Sequence, residues 1–198
     1  MGATIAIGTL IFTGCSTYYQ AQVARDQLEQ SRKAAERDEK DHASRITYWT
    51  EPGPDRLTMI HILNTSPDPV AFMEFTVSIY LGGGLRDLGK PWGVFSLSWS
   101  NIAPCSELVF SSADIRVPPD SDVPTNFWGK PLKEINNLFW KLNDLGFLDR
   151  NGEWWARSNS KYSLRKGDPD PPGPWRGFLD VSAPPQINRA PACGGIEQ

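Results

Sequence analysis

The N-terminal part of the chain carries two successive patterns of apolar and polar residues, and both predict helix. Residues 1–24 contain no charged side chain, and most of residues 3–17 are apolar. A helix rises about 1.5 Å per residue, so roughly 20 residues cross the hydrocarbon core of a bilayer. This pattern predicts a transmembrane helix over residues 1–22, with residues 2–21 in contact with the lipid bilayer of the membrane.

Residues 23–45 form the second pattern, which is strongly charged and lacks glycine and proline. Glu29 precedes Lys33 by four residues, and Glu36 precedes Lys40 in the same way, so opposite charges share one helix face. We interpret this segment as a charged helical stalk surrounded by solvent. The alternative is weak homo-oligomerisation through the stalk, although its best heptad column is a poor coiled-coil seam that contains Ala21, Leu28, Ala35 and His42.

Beyond residue 45 apolar residues alternate with polar ones, which is typical of half-buried β-strands. In the clearest run, Met73, Phe75 and Val77 fall on one face, while Glu74 and Thr76 fall on the other. Shorter runs predict further strands over residues 56–64, 94–99 and 108–110.

Turn signals separate these runs and favour a sheet built from short strands. Asn151-Gly152 lies between two strand-like runs and predicts a tight hairpin, because such a turn needs positive φ. About seven strands of this kind predict a mainly β fold, an immunoglobulin-like β-sandwich, over residues 46–165. Leucines at helical spacing between Pro131 and Gly146 predict one short helix packed on the sheet.

The C-terminal segment, residues 166–198, is rich in proline and poor in aliphatic side chains. Such a composition buries too little apolar surface to offset the loss of conformational entropy on folding. We therefore predict a proline-rich, disordered tail.

Composition and motifs predict no enzyme, cofactor or metal site. The net charge of -3 indicates no nucleic acid partner. The chain has only two histidines, which removes most catalytic Ser/His and Cys/His arrangements. Residues 84–90 match the G-x-x-x-x-G-K pattern of a phosphate-binding loop, but Pro91 replaces the hydroxyl residue that would hold magnesium. We expect a non-enzymatic protein.

The three cysteines are too far apart in the sequence for a zinc site. They leave two other possibilities, lipidation and a disulfide. The run Phe12 to Cys15 resembles the lipidation signal of bacterial lipoproteins, so lipidation of Cys15 is an alternative to a transmembrane helix. No Lys or Arg precedes it, which departs from such signals. Cys105 and Cys193 are able to form one disulfide in an oxidising compartment, and the sequence leaves this open.

Membrane orientation follows from the distribution of basic residues. No Lys or Arg precedes the apolar segment, whereas Arg25, Arg32, Lys33 and Arg37 follow it. Basic residues flanking a span are retained on the cytoplasmic side. The prediction is a single-pass protein of the cell membrane whose C-terminal domain is cytoplasmic.

Several short segments resemble a group of uncharacterised single-pass membrane proteins from actinobacteria. They are Tyr18-Tyr19-Gln20, Asp26 to Arg32, Ala43-Ser44-Arg45, Asn64 to Val70, Pro104-Cys105 and Asp149 to Arg157. The similarity extends to about Leu164. It implies a transmembrane helix, a charged helix and a small β domain, and it provides no activity and no site residues that could be carried over to this chain.

Two functional hypotheses remain. The first is a membrane-anchored, non-enzymatic scaffold or adaptor whose β domain binds an unknown protein partner. The second is an envelope lipoprotein or anchored domain that binds glycans through exposed tryptophans, because indole rings stack on sugars. The candidate ligand contacts are Trp154, Trp155 and Trp175.

Overall fold

The fold is taken from a computed structural model of the chain. It describes residues 2–54, 57–81, 91, 93–119, 128–134, 138–158, 163–167, 175–190 and 193. The chain divides into two compact units, Met1–His42 and Ala43–Gln198.

One continuous α-helix spans Gly2–Ser44, as the sequence predicts for residues 1–45. Lys33 Nζ lies 2.6 Å from Glu29 Oε1, so this predicted pair of charges is formed on the helix surface. Within the described part of the chain, no helix combines the length and the apolarity needed to cross a membrane. The transmembrane character predicted for residues 1–22 is therefore not shown.

The second unit is mainly β. Its strands are β1 (Ile46–Pro52), β2 (Thr58–Asn64), β3 (Val70–Leu81), β4 (Gly93–Ile102), β5 (Ser106–Ser111), β6 (Ile115–Arg116), β7 (Leu138–Leu148), β8 (Trp154–Ser158), β9 (Ser163–Lys166), β10 (Trp175–Phe178), β11 (Asp180–Val181) and β12 (Gln186–Arg189). The described strands form a four-stranded sheet in the order β1-β2-β5-β12, a six-stranded sheet in the order β10-β4-β3-β7-β8-β9, and the pair β11-β6.

The two larger sheets share one core. Phe75 of β3 and Phe110 of β5 are fully buried, and their rings meet edge to face with centroids 5.6 Å apart. The Tyr48 hydroxyl of β1 donates a hydrogen bond of 2.7 Å to the backbone oxygen of Asn143 in β7, which also joins the sheets. A mainly β fold is therefore confirmed. The immunoglobulin-like topology is not confirmed, since β10 pairs with β4 in parallel and that fold uses antiparallel sheets.

The predicted hairpin is present between β7 and β8. Gly152 has a φ of 77°, which a glycine adopts without steric cost. Asp149 fixes the turn, because its Oδ1 accepts hydrogen bonds from the backbone N–H groups of Asn151 and Glu153. Its Oδ2 accepts a third bond from Trp155 Nε1.

The helix predicted between Pro131 and Gly146 is wrong. In the described part of this stretch, Leu132–Glu134 form a short 3-10 turn, and Leu138–Leu148 form strand β7. A β-bulge explains the misleading spacing: Phe75 pairs with Leu145 while Val77 pairs with Leu142, so two residues of β7 oppose Thr76 of β3 alone. Leu142 and Leu145 thereby both enter the core at the i, i+3 spacing of a helix.

The predicted disorder of residues 166–198 is wrong for residues 175–190. In this segment β10 adds to β4 and β12 adds to β5, so it contributes an edge strand to each large sheet. Leu179 is buried in the core, and a disulfide joins Cys193 to Cys105. The segment contains few aliphatic residues, but backbone hydrogen bonds to β4 and β5 and the disulfide to Cys105 stabilise it.

Candidate functional site

The structure does not bring the predicted ligand-contact tryptophans together as an exposed row. Trp155 is 4% exposed and lies in the core, where its Nε1 donates to Asp149. Trp154 is half-buried and packs on Phe72, with ring centroids 5.8 Å apart. The backbone of Trp175 lies in β10, but its side chain lies outside the described part of the structure.

The candidate lipidation site and the phosphate-loop-like segment have no described side-chain environment. Cys15 lies in the N-terminal helix, and its side chain is outside the described part. The phosphate-loop-like residues 84–90 are also outside the described residues.

A different set of side chains meets on the outer face of the four-stranded sheet. Antiparallel pairing places Trp49 of β1 opposite His61 of β2, and His61 opposite Val109 of β5. Directly opposed residues project from the same side of a sheet. The neighbours of His61 in the chain, Ile60 and Ile62, are fully buried on the inner side, so His61 and its partners point outward.

His61 is the centre of this set. Its Nδ1 lies 2.8 Å from Glu107 Oε1, and because a carboxylate only accepts hydrogen bonds, the imidazole N–H donates. Its Nε2 lies 3.1 Å from Glu51 Oε1 without the geometry of a hydrogen bond. Asn188 of β12 donates to Glu107 Oε2 over 3.2 Å. All four strands of the sheet therefore contribute to one connected group.

Trp49 covers the imidazole. The two rings are nearly parallel, with an angle of 9° and centroids 4.8 Å apart. Trp49 nevertheless remains 37% exposed, and the Glu51 side chain beside it is 53% exposed. We call Trp49, Glu51, His61, Glu107 and Asn188 the His61 cluster. It presents an indole surface, held in place by stacking, with carboxylates beside it.

The side chain of His61 itself is only 11% exposed. Its position between Trp49 and Glu107 suits a residue that orients its neighbours. Among the described residues, no group of three or more His, Cys, Asp or Glu side chains is arranged to hold a metal ion.

A cavity of about 170 Å³ adjoins the cluster. Val109, which lies opposite His61, forms part of its wall together with Met59 of β2. Further apolar wall comes from Val181 and from the segment that precedes β12, and the polar lining consists of Ser111, Asp114 and Gln186.

Comparison of the chain with family models, curated proteins and solved structures finds no match. The resemblance to actinobacterial membrane proteins therefore stays a prediction. The function has to be argued from the geometry of the outer face.

Sequence reasoning missed the His61 cluster because its members are brought together by strand register. Trp49 and Glu107 are 58 positions apart in number, and no local motif connects them. One feature of the sequence could have indicated the cluster. His61 and Glu107 are polar residues within apolar strands, at positions whose side chains alternate to the outer face. Pairing them requires knowing that β2 and β5 are neighbours.

Proposed function

We propose that the β domain is a non-enzymatic protein-binding module and that the His61 cluster is its recognition surface. The observation that carries this proposal is Trp49, an exposed tryptophan whose ring is fixed against His61. Tryptophan is enriched among the residues that dominate binding energy at protein interfaces. A ring that is already ordered loses little conformational entropy when a partner binds.

The edge of the sheet supports the same proposal. β1 stands at the end of the described strand order, with β2 on one side only. Residues 49–52 of β1 are exposed. Exposed edge strands offer unpaired backbone groups to an extended segment of a partner, while side-chain contacts supply specificity. In this mode Trp49 lies beside the added strand.

The disulfide favours an oxidising location for this module. Cys105 and Cys193 are bonded, and disulfides persist in extracytoplasmic compartments and are rare in the cytosol. We therefore propose an oxidising compartment for the domain in place of the cytoplasm.

Glycan binding is the second candidate, and one observation favours it. Trp49 combines an exposed indole with the Glu51 and Glu107 carboxylates and the Asn188 amide, and such groups stack on and hydrogen-bond to sugars. Under this hypothesis Trp49 takes the role that the sequence analysis assigned to Trp154, Trp155 and Trp175.

The test is site-specific photo-crosslinking in the native cell. A benzophenone amino acid is placed at Glu51, which is exposed on β1 and projects from the same face as Trp49, and the control position is Lys141, which is exposed on the six-stranded sheet. We expect a discrete protein adduct from position 51, none from position 141, and loss of the adduct when Trp49→Ala is added.

Three outcomes contradict protein binding through this surface. They are no adduct from position 51, an adduct that Trp49→Ala leaves unchanged, and the same adduct from position 141. An adduct that glycosidases degrade and proteases leave intact supports the glycan hypothesis instead.

A further inference from the structure

The cavity beside the His61 cluster has a mixed lining of apolar and polar residues. Met59, Val109 and Val181 are among the apolar residues, and Asp114 is the acidic residue of the lining. A cavity of about 150 Å³ is large enough for a benzene ring. The volume of about 170 Å³ therefore accommodates a side chain with several methylene groups and a polar head.

Asp114 is held in a defined position by two parts of the chain. Its backbone N–H donates to the Ser111 backbone oxygen over 2.9 Å, and its backbone oxygen accepts from Ser182 N over 2.8 Å. The Ser182 hydroxyl donates to the same oxygen. Residue 114 is thus fixed between the end of β5 and the segment after β11, so little order has to be created on binding.

Acidic residues lie in the lining of the cavity and on the neighbouring face of the sheet. Asp114 lines the cavity, and Glu51 and Glu107 lie on the same outer face of the sheet. Among the described residues, those that line the cavity include no lysine or arginine. A carboxylate in a partly apolar site is stabilised by an opposite charge, so the electrostatic complement of the cavity is a cation.

We propose that this cavity binds a lysine or arginine side chain of a protein partner. The methylene stem lies against Met59, Val109 and Val181, and the cationic head reaches the Asp114 carboxylate, since long basic side chains bury their stems and keep their heads polar. The proposal rests on the protein-binding function and names the chemistry of the partner. Val109 lines the cavity and lies opposite His61 in the strand register, so one extended segment is able to contact Trp49 and fill the cavity.

The chain offers a built-in probe for the test. It contains only three methionines, of which Met59 lines the cavity and Met73 is fully buried in the core. The full-length protein is labelled with ¹³C at the methionine methyl groups and titrated with N-acetyl-lysine methylamide, N-acetyl-arginine methylamide and N-acetyl-norleucine methylamide. Norleucine has the apolar stem of lysine and lacks its charge.

The expected result is a saturable shift of the Met59 resonance with the lysine or arginine compound, a fixed Met73 resonance, and weaker binding of norleucine. Asp114→Asn should lower the affinity about tenfold, the size of one charge-assisted contact. Asp180→Asn is the matched control, because Asp180 is exposed on β11 and removal of its charge leaves the cavity lining unchanged. Ala183→Leu, which fills the cavity, should abolish binding in a second, independent way.

The proposal is overturned if norleucine binds as tightly as lysine, if Asp114→Asn binds as tightly as the parent chain, or if Ala183→Leu still binds. Tighter binding of free spermidine than of either amino-acid compound would also overturn it, since the ligand would then be a free polyamine. Absence of lysine and arginine binding alongside a Trp49-dependent adduct refutes this inference alone. Loss of that adduct with lysine binding intact refutes the proposed recognition surface instead.

Discussion

At the scale of single residues, Gly146 of β7 has a steric role. A Cβ atom built at this position would lie 2.7 Å from Cζ2 of Trp154, which is closer than carbon atoms approach in folded proteins. The Trp154 ring therefore occupies the space that any side chain at position 146 would need. The requirement for glycine comes from this close packing and not from the backbone conformation, because the φ of Gly146 is not in the left-handed region.

The prediction is that Gly146→Ala lowers the free energy of unfolding by about 1–3 kcal/mol, the usual cost of overpacking. Urea unfolding of the parent chain and the variant measures this difference. Trp154→Leu is the control background: in it, Gly146→Ala should cost clearly less, because the indole that the methyl group meets is gone. An equal cost in both backgrounds would show that the clash with Trp154 is not the cause.

Arg157 gives a prediction about pH. Its Nη2 donates to the Ser44 backbone oxygen over 2.9 Å, and burial lowers its pKa below the ordinary arginine value, with a smaller opposing effect from Tyr48. When the pKa of a base is lower in the folded state than in the unfolded state, the unfolded state binds more protons at pH values between the two. The free energy of unfolding therefore rises with pH in that interval and is constant outside it. Arginine stays protonated far above neutrality, so this window lies in strongly alkaline solution.

Arg157→Gln should therefore change the unfolding free energy by the same amount at every pH from about 5 to about 9. Urea unfolding of both proteins across this range checks the prediction. Glu134→Gln, at an exposed acid, serves as a comparison for general charge effects. A difference that grows with pH inside this range would mean that Arg157 loses its proton near neutrality.

At the scale of elements, local periodicity predicted the long strands but not the features that depend on pairing. β3 alternates regularly, so its inward residues, Phe75 and Val77 among them, were predictable. β7 contains a bulge, which sets Leu142 and Leu145 three positions apart and imitates a helix. The register that assembles Trp49 with His61 cannot be read from either strand alone.

The short C-terminal strands were missed for a related reason. β10 and β12 are edge strands of four residues, and edge strands bury few side chains, so they have little apolar signal. Their stability comes from backbone pairing and from the disulfide, and neither is visible in local composition.

The disulfide gives the prediction for this segment. Cys105 and Cys193 are 88 positions apart, and closing so long a loop restricts the unfolded chain strongly. Cys193→Ser should lower the unfolding free energy by about 2–5 kcal/mol. Urea unfolding of the parent chain and the variant without reducing agent, so that the parent keeps its disulfide, measures the difference in unfolding free energy.

Reduced parent protein should match Cys193→Ser, and the double variant with Cys105→Ser should be no less stable than the single one. A single variant as stable as the oxidised parent would contradict the stabilising role of the bond.

At the scale of the whole molecule, the β core is contained in one unit. The buried residues that pack together run from Ala43 to Leu179, and none comes from residues 2–42 among those described. A chain that starts at Ala43 should therefore keep its cooperative unfolding transition and lie within about 1 kcal/mol of the full chain. Thermal and urea unfolding of the two proteins compare them.

The matched control removes residues 175–198, which deletes β10 and β12 from the two large sheets. This truncation should abolish cooperative unfolding. If the chain starting at Ala43 is the one that fails to fold, the helix contributes more than the described core indicates.

The contribution of the last strands to both sheets also sets the order of events during biosynthesis. β4 and β5 emerge from the ribosome before β10 and β12, so the four-stranded sheet is incomplete until β12 has been translated, and the six-stranded sheet is incomplete until β10 has been translated. Cys105 is translated 88 positions before Cys193, so its thiol cannot form the disulfide until Cys193 has been made. Contacts so distant in sequence slow folding. Completion of this domain therefore depends on translation of β12 and Cys193, and until then β5 and the Cys105 thiol lack these partners.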